Sequence, residues 1–258
     1  MVENKRIVLV GAGNMATSIA VALKESGNMP VAVWSRTAES ASMLGGRIGC
    51  FHTTEIPSLP HADIVIISVV DNAMCDVVAR VVQRFPTALL LHTAGSIPMD
   101  ILHEAGAVRY GVLYPMQTVN KNRVTSLRSV TTFIEGCNDE VIGQIREIAS
   151  LISEKVVYAT SAQRCSLHVA AVFACNFPNA LYTMVAELLD KNGLPFDSML
   201  PLIDEAARKV HLMPPIEAQT GPAKRGDHNV METHKSMLDD ELAGIYQAMS
   251  DYIMKRNR

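Results

Sequence analysis

The chain has 258 residues, 48% of them hydrophobic, and a formal net charge of -3. That length supports a substantial core spread over two domains, and the mild acidity excludes a protein that grips nucleic acid by bulk positive charge. Five cysteines, odd in number and without Cys-x-x-Cys spacing, argue against a disulfide scaffold and read as reduced thiols of a cytoplasmic protein.

The opening MVENKR leads straight into Ile7 to Val10, so no signal peptide is expected. Those four aliphatic residues predict a buried strand. Gly11, Gly13 and Ala16 follow, and then a helical pattern with Met15, Ile19 and Leu23 on one face and Gly27 at the end. Each small residue has a physical role. Gly11 permits the tight turn out of the strand, Gly13 lets a pyrophosphate approach the backbone, and Ala16 lets the helix pack closely on the strand. The helix N-terminus, with Asn14 and Met15, offers amide hydrogens and a partial positive charge to phosphates. A Gly-x-Gly-x-x-Ala sequence in a loop says little. Between a strand and an amphipathic helix it predicts dinucleotide binding.

Val31 to Trp34 predicts a second strand, ending in Ser35, Arg36 and Thr37. An acidic side chain at this point would bind the adenosine ribose hydroxyls of NAD, but the first acid is Glu39. Two hydroxyls and a guanidinium instead suit a 2′-phosphate, so NADP is expected. Ile48 to Phe51 reads as a third strand and Ile64 to Val69 as a central parallel strand, the strongest apolar run being strand-length and not membrane-length. Asp71 or Asn72 is expected to cap the next helix. Ala88 to Leu91 is a fifth strand, followed by His92-Thr93-Ala94-Gly95-Ser96, and Val108 to Leu113 a sixth, followed by Tyr114 to Thr118. His92, Thr93 and Ser96 lie where polar groups approach a nicotinamide, with helix capping as the alternative for Thr93 and Ser96. Strands alternating with helices imply a doubly wound, mainly parallel Rossmann sheet whose carboxyl ends form the ligand crevice.

Thr131 to Glu135 and Val156 to Tyr158 predict two more strands around a helix from Asp139 to Ser153. Beyond Thr160 the pattern is helical: a long helix from Ser161 to Asp190 bent near Pro178, then Ser198 to Leu212, a helix opening at Pro214-Pro215, a polar loop from Ala223 to Asp227, and helices at His228 to Leu238 and Glu241 to Lys255. A Rossmann domain over 1–160 and an all-helical domain over 161–258 are therefore expected. Hydride transfer needs a group that protonates the substrate heteroatom, and His168 fits that role. On a straight helix Asn179 shares its face, with Asn176 nearby; a buried, merely structural histidine is the plainer alternative. Lys224 and Arg225 suit a substrate carboxylate or phosphate, or form a solvated loop. His211, His228 and His234 lack zinc spacing, so no metal is expected. The stripe of Met184, Leu188 and Leu189 reads as core or as a subunit seam.

The motif VGAGNMA resembles the cofactor turn of pyrroline-5-carboxylate reductases, and the two-domain plan resembles that enzyme and its 6-phosphogluconate-dehydrogenase-like relatives. The segments HTAGS, YPMQT, HVAAVFACNF and TGPAKRGD are similar to a poorly characterised bacterial branch of that superfamily. The resemblance implies an NADP-dependent oxidoreductase acting on a small carbonyl, imine or hydroxyacid. It places Gly11, Gly13, Asn14, Met15 and Ala16 at the phosphates, Ser35 and Arg36 at the 2′-phosphate, and Val69 and Val70 alongside the coenzyme. Tyr114 to Thr118 stands in place of the reductases' Met-Pro-Asn-Thr-Pro loop, which brings Tyr114 and Gln117 to substrate. Met116-Gln117 after Pro115 departs from that loop and weighs against proline biosynthesis. The lysine of related hydroxyacid enzymes has no counterpart between Val156 and Asp190. A homodimer built on the helical domain is also implied. The alternatives are a sensor that holds NADP(H) without turnover and, third, a pyrroline-5-carboxylate reductase proper.

Overall fold

The structure is a computed structural model that describes residues 5–120 and 123–257. It divides into two compact units, Met1–Cys175 and Asn176–Arg258.

The first unit holds eight strands: β1 (Ile7–Val10), β2 (Ala32–Trp34), β3 (Phe51–Thr53), β4 (Ile64–Ile67), β5 (Leu89–His92), β6 (Arg109–Pro115), β7 (Thr131–Gly136) and β8 (Lys155–Tyr158). Its helices are α1 (Asn14–Glu25), α2 (Ala38–Ile48), α3 (Met74–Arg84), α4 (Asp100–Glu104), α5 (Asp139–Ile152) and α6 (Ser161–Ala171). The sheet order is β3-β2-β1-β4-β5-β6-β7-β8, parallel throughout except where β6 meets β7. Alternation along the strands explains the two cores. Ile7, Leu9, Ile64 and Ile66 turn to the face covered by α1 and α5. Val8, Val10, Val65 and Ile67 turn to the face covered by α3, which contributes Val77, Val78 and Val81. The order reverses between β1 and β4, and that switch point sets the crevice at the carboxyl ends of the strands.

Three local expectations change. The third strand begins at Phe51 and not Ile48, because Ala41, Leu44 and Ile48 form the buried face of α2 and Gly49, at φ 83°, ends it. Strand β6 runs on through Tyr114 and Pro115, which pair with Phe133 and Thr132 of the antiparallel neighbour. Neither Asp71 nor Asn72 caps a helix. They open a 3-10 turn without a side-chain cap, and the Asp71 carboxylate accepts a hydrogen bond from the Ser96 hydroxyl, which is likewise not a cap.

The long apolar helix is interrupted. After α6 come five residues of π-helix, Val172–Asn176, and then α7 (Phe177–Asp190). Pro178 has no N–H to donate and its ring displaces the carbonyl four residues back, so the ladder adjusts just ahead of it. The unit boundary follows Cys175, later than a division at Thr160. The reason is that α6 is tied to the sheet. Thr160 and Gln163 form a capping box at its start, and Arg164 pairs with Glu135 of β7 at 2.6 Å with both side chains buried.

The second unit contains the rest of the helices: α7, α8 (Leu200–Leu212), α9 (Pro215–Ala218), α10 (Pro222–Arg225), α11 (His228–Ser236) and α12 (Asp240–Arg256). The stretch expected as a polar loop is in part the turn α10. Gly221 at φ 103° and Gly226 at φ 67° bracket it.

Candidate functional site

The segments after β1, β2 and β4 enclose a cavity of about 420 Å³, lined by Gly11 to Asn14, Trp34 to Thr37, Ser68 to Val70 and the inner side of α3. Its floor is fixed by backbone contact. Gly11 adopts φ 125°, and a Cβ there would lie 2.0 Å from the Ser68 carbonyl oxygen. At Gly13 a Cβ would meet nothing within 4 Å, so the space above the turn is open. Gly13 precedes α1 at φ -77°, with no capping side chain and no acid in the first turn of the helix. A diphosphate fits such an N-terminus. On the rim, Ser35 is nearly buried while Arg36 and Thr37 are exposed, and Thr37 also accepts from the Ser40 amide to cap α2. Val69 is half-buried and Val70 is exposed at the strand end.

The two glycines should therefore separate folding from binding. Gly11→Ala is expected to destabilise the unit by several kcal/mol, on the order of an overpacked, strained site. Gly13→Ala is expected to cost only about 1 kcal/mol, the loss of a glycine N-cap, and to weaken coenzyme binding. Parallel thermal melts and calorimetric titrations check both, and a Gly13→Ala protein that bound coenzyme normally would sink the assignment.

Further along the same carboxyl edge, the Thr93 hydroxyl donates to Ser68 at 2.9 Å, so Thr93 braces the ends of β4 and β5 and caps no helix. Gly95 follows, buried. Beside it the Tyr114 hydroxyl and His168 Nδ1 lie 3.2 Å apart, with the rings edge-on. A Cβ on Gly95 would come within 2.7 Å of His168 Nδ1 and 3.0 Å of Tyr114 Cζ. The pair thus depends on a residue without a side chain. Burial raises the pKa of the Tyr114 phenol above its ordinary value, partly opposed by the Arg164 guanidinium. The Arg164 side chain donates to Glu135, to the carbonyls of Ala94 and Ile97, and to Ser161. One guanidinium therefore holds α6, β7 and the loop after β5 together. Sequence reasoning found His168 and Tyr114 separately. It missed their pairing, Gly95, Arg164, Glu135 and Arg80 of the cavity after β1, none of which carries a local pattern.

His92 is fully buried and does not reach the crevice. Its Nδ1 accepts from the Ala94 amide at 3.2 Å, which places the proton of the neutral ring on Nε2. Burial first, and Arg164 second, push its pKa from 6.5 down to about 3. The unfolded chain takes up this proton below about pH 6.5 whereas the folded one does not until about pH 3. The stability that neutral His92 contributes is thus complete above pH 6.5 and is lost as pH falls through that window. Over it, His92→Leu should show a shallower acid-induced fall in stability than wild type, by roughly 1.4 kcal/mol per pH unit. Equal slopes in denaturant titrations at pH 6.5 and 4.5 would contradict this.

The remaining sequence candidates lie elsewhere. Gln117 is exposed in the loop after β6, its Oε1 accepting from the Thr118 amide. Asn176 and Asn179 belong to the second unit, and the eleven-residue argument linking them to His168 assumed an α-period that the π-helix interrupts. Lys224 and Arg225 are exposed on α10 of the second unit. Among the described residues, no three His, Cys, Asp or Glu side chains converge on a metal position. A second cavity of about 410 Å³ opens at the amino ends of β4, β5 and β6, the edge remote from the crevice. There Lys5 faces Asp63 and Arg109 bonds Gln144.

Residues 1–113 match the shikimate / quinate 5-dehydrogenase family, and residues 130–253 match a domain of unknown function (DUF2520). No curated protein gave a match. Among solved structures, the chain is similar to one described as a "putative NADP oxidoreductase" from Bacteroides fragilis: 45% identity, 99% of this chain, 100% of that chain, TM-score 0.94. It shares the fold of a reductive aminase from Aspergillus terreus in complex with NADPH and ethyl-5-oxohexanoate (17% identity, 98% and 95% covered, TM-score 0.71). The same holds for a Plasmodium falciparum pyrroline carboxylate reductase with NADP bound (13% identity, 99% of each chain, TM-score 0.61). Identity of 45% over essentially the full length shows that the chain belongs to the family of the Bacteroides fragilis protein, a dinucleotide-fold domain followed by a helical domain of unknown function.

Proposed function

We propose that this protein is an NADP-dependent oxidoreductase acting on a small carbonyl, imine or hydroxyacid. The observation that carries the reading is the placement, within one compact unit and along one sheet edge, of an open phosphate cradle at Gly13 and a tyrosine–histidine pair at Tyr114 and His168. When bound, the coenzyme supplies or accepts the hydride. The turn from Gly11 to Ala16 binds its diphosphate, and Ser35, Arg36 and Thr37 hold the 2′-phosphate. Val69, Val70 and Thr93 line its path.

His168 delivers the proton that the substrate heteroatom needs as electrons arrive. The Tyr114 oxygen lies 3.2 Å from His168 Nδ1; in the imidazolium form that acts as the acid, Nδ1–H donates to that oxygen and orients the ring, and Nε2–H is the proton delivered. Gln117 offers an amide to substrate, and residue type suits Asn176 and Asn179 to polar ligand groups and Lys224 and Arg225 to a carboxylate or phosphate. A screen of ketoacids, cyclic imines and hydroxyacids, followed at the NADPH absorbance, is expected to return at least one class that is turned over. Tight coenzyme binding with no turnover in any class would assign a sensor instead.

The second unit supports a homodimer. Helix α7 has no buried residue, and Leu202, Leu212 and Met237 are 67%, 74% and 76% exposed. Helices α7 and α12 border an apolar groove through Leu181, Leu188, Leu242 and Ile253. The stretch Ser161–Asp190 is also long and apolar enough to cross a membrane by length and composition. The buried Arg164–Glu135 pair ties its first turn to the sheet, which favours a protein partner and a cytoplasmic location for the chain. Light scattering on the purified protein is expected to give twice the 28.1 kDa of one chain, and a monomer would refute the dimer.

A further inference from the structure

Two guanidiniums border the same cavity. Arg36 stands just past the end of β2, and Arg80 rises from α3. The Arg80 Cζ lies 5.9 Å from the centroid of the Trp34 ring. Trp34 is 4% exposed, and its Nε1 donates to the Thr54 carbonyl at 2.8 Å, so the ring is a fixed platform. A cation resting on such a ring is held in place ahead of any ligand. Arg80 faces Asp76, 3.8 Å away one helical turn back, with side chains 44% and 77% exposed. Solvent screens that contact, and it leaves most of the guanidinium fork available. Two cations around one cavity repel each other unless an anion lies between them.

We propose that Arg80 is a second determinant for the adenosine 2′-phosphate, binding it together with Arg36, with Trp34 as the platform that orients it. The inference rests on the NADP reading above. A phosphate monoester carries close to two negative charges at neutral pH and three strong acceptors, which suits two guanidiniums better than one. Asp76 sharpens the dependence, since without Arg80 its carboxylate would stand uncompensated beside the phosphate. An arginine that only stacked on adenine would serve NAD and NADP equally, so the two coenzymes separate the roles.

The test is calorimetric titration of the full chain with NADP and with NAD, for wild type, Arg80→Gln, Arg80→Lys and Arg36→Gln. Arg80→Gln should weaken NADP about tenfold, the range of a charge-assisted contact, and change NAD by less than about twofold. Arg80→Lys should fall between, and the Arg80→Gln loss should shrink as salt is raised. Equal losses for both coenzymes, or no loss for NADP, would overturn the proposal while leaving the NADP reading intact. A wild-type protein that bound neither coenzyme would remove the parent reading and this inference together.

Discussion

Replacing His168 by Gln is expected to lower NADPH-linked turnover by about 10²–10⁴-fold, the range contributed by a positioned general acid. Coenzyme affinity should hardly change, because the cavity that holds it is built from residues between Gly11 and Arg80. Tyr114→Phe should cost less, roughly tenfold, since the phenol oxygen orients the His168 ring and does not itself deliver the proton. Gly95→Ala should resemble His168→Gln although glycine carries no chemistry: the new methyl would fall 2.7 Å from His168 Nδ1 and split the pair. Steady-state rates on a substrate from the screen, with calorimetry as the binding control, check all three. Undiminished turnover in His168→Gln would remove the catalytic assignment.

The second large effect is on stability. Arg164→Met should destabilise the protein by about 3–5 kcal/mol, because it strands the buried Glu135 carboxylate and four other hydrogen-bonding partners. For a chain of this length that is on the order of 10 °C in melting temperature. Glu135→Gln should be milder, since the amide can still accept from Ser161 and Arg164. Arg164→Met combined with Glu135→Leu should recover part of the loss, as replacing a whole buried pair by apolar groups costs less than breaking it. A double variant no more stable than Arg164→Met alone would show that the cost lies in the Ala94 and Ile97 carbonyls and not in the ion pair.

The glycine turn after β1 was legible because backbone approach constrains it. Gly11 admits no Cβ, the apolar strand before it and the amphipathic helix after it are periodic, and both signals are local. The parallel core strands were legible for the same reason. Helix α2 was harder, since Gly45 and Gly46 dilute its pattern; in the fold Gly45 lets the helix pack on His52, which a Cβ would meet at 2.7 Å. The Tyr114–His168 contact joins residues 54 apart and Arg164–Glu135 joins residues 29 apart, so no periodicity announces either. Arg80 reads in sequence as an exposed helix arginine; only the fold sets it on Trp34 beside the cavity. The π-helix before Pro178 is the local adjustment of the ladder to that proline, and it interrupts the α-period that would set Asn179 on the face of His168.

The most direct measurement is calorimetric titration of pure, folded protein with each coenzyme in turn. The account predicts saturable heat with NADP and NADPH and weaker binding of NAD. Absence of heat with both phosphorylated coenzymes would contradict it, whereas a preference for NAD would cancel only the assignment of Ser35, Arg36, Thr37 and Arg80 to the 2′-phosphate.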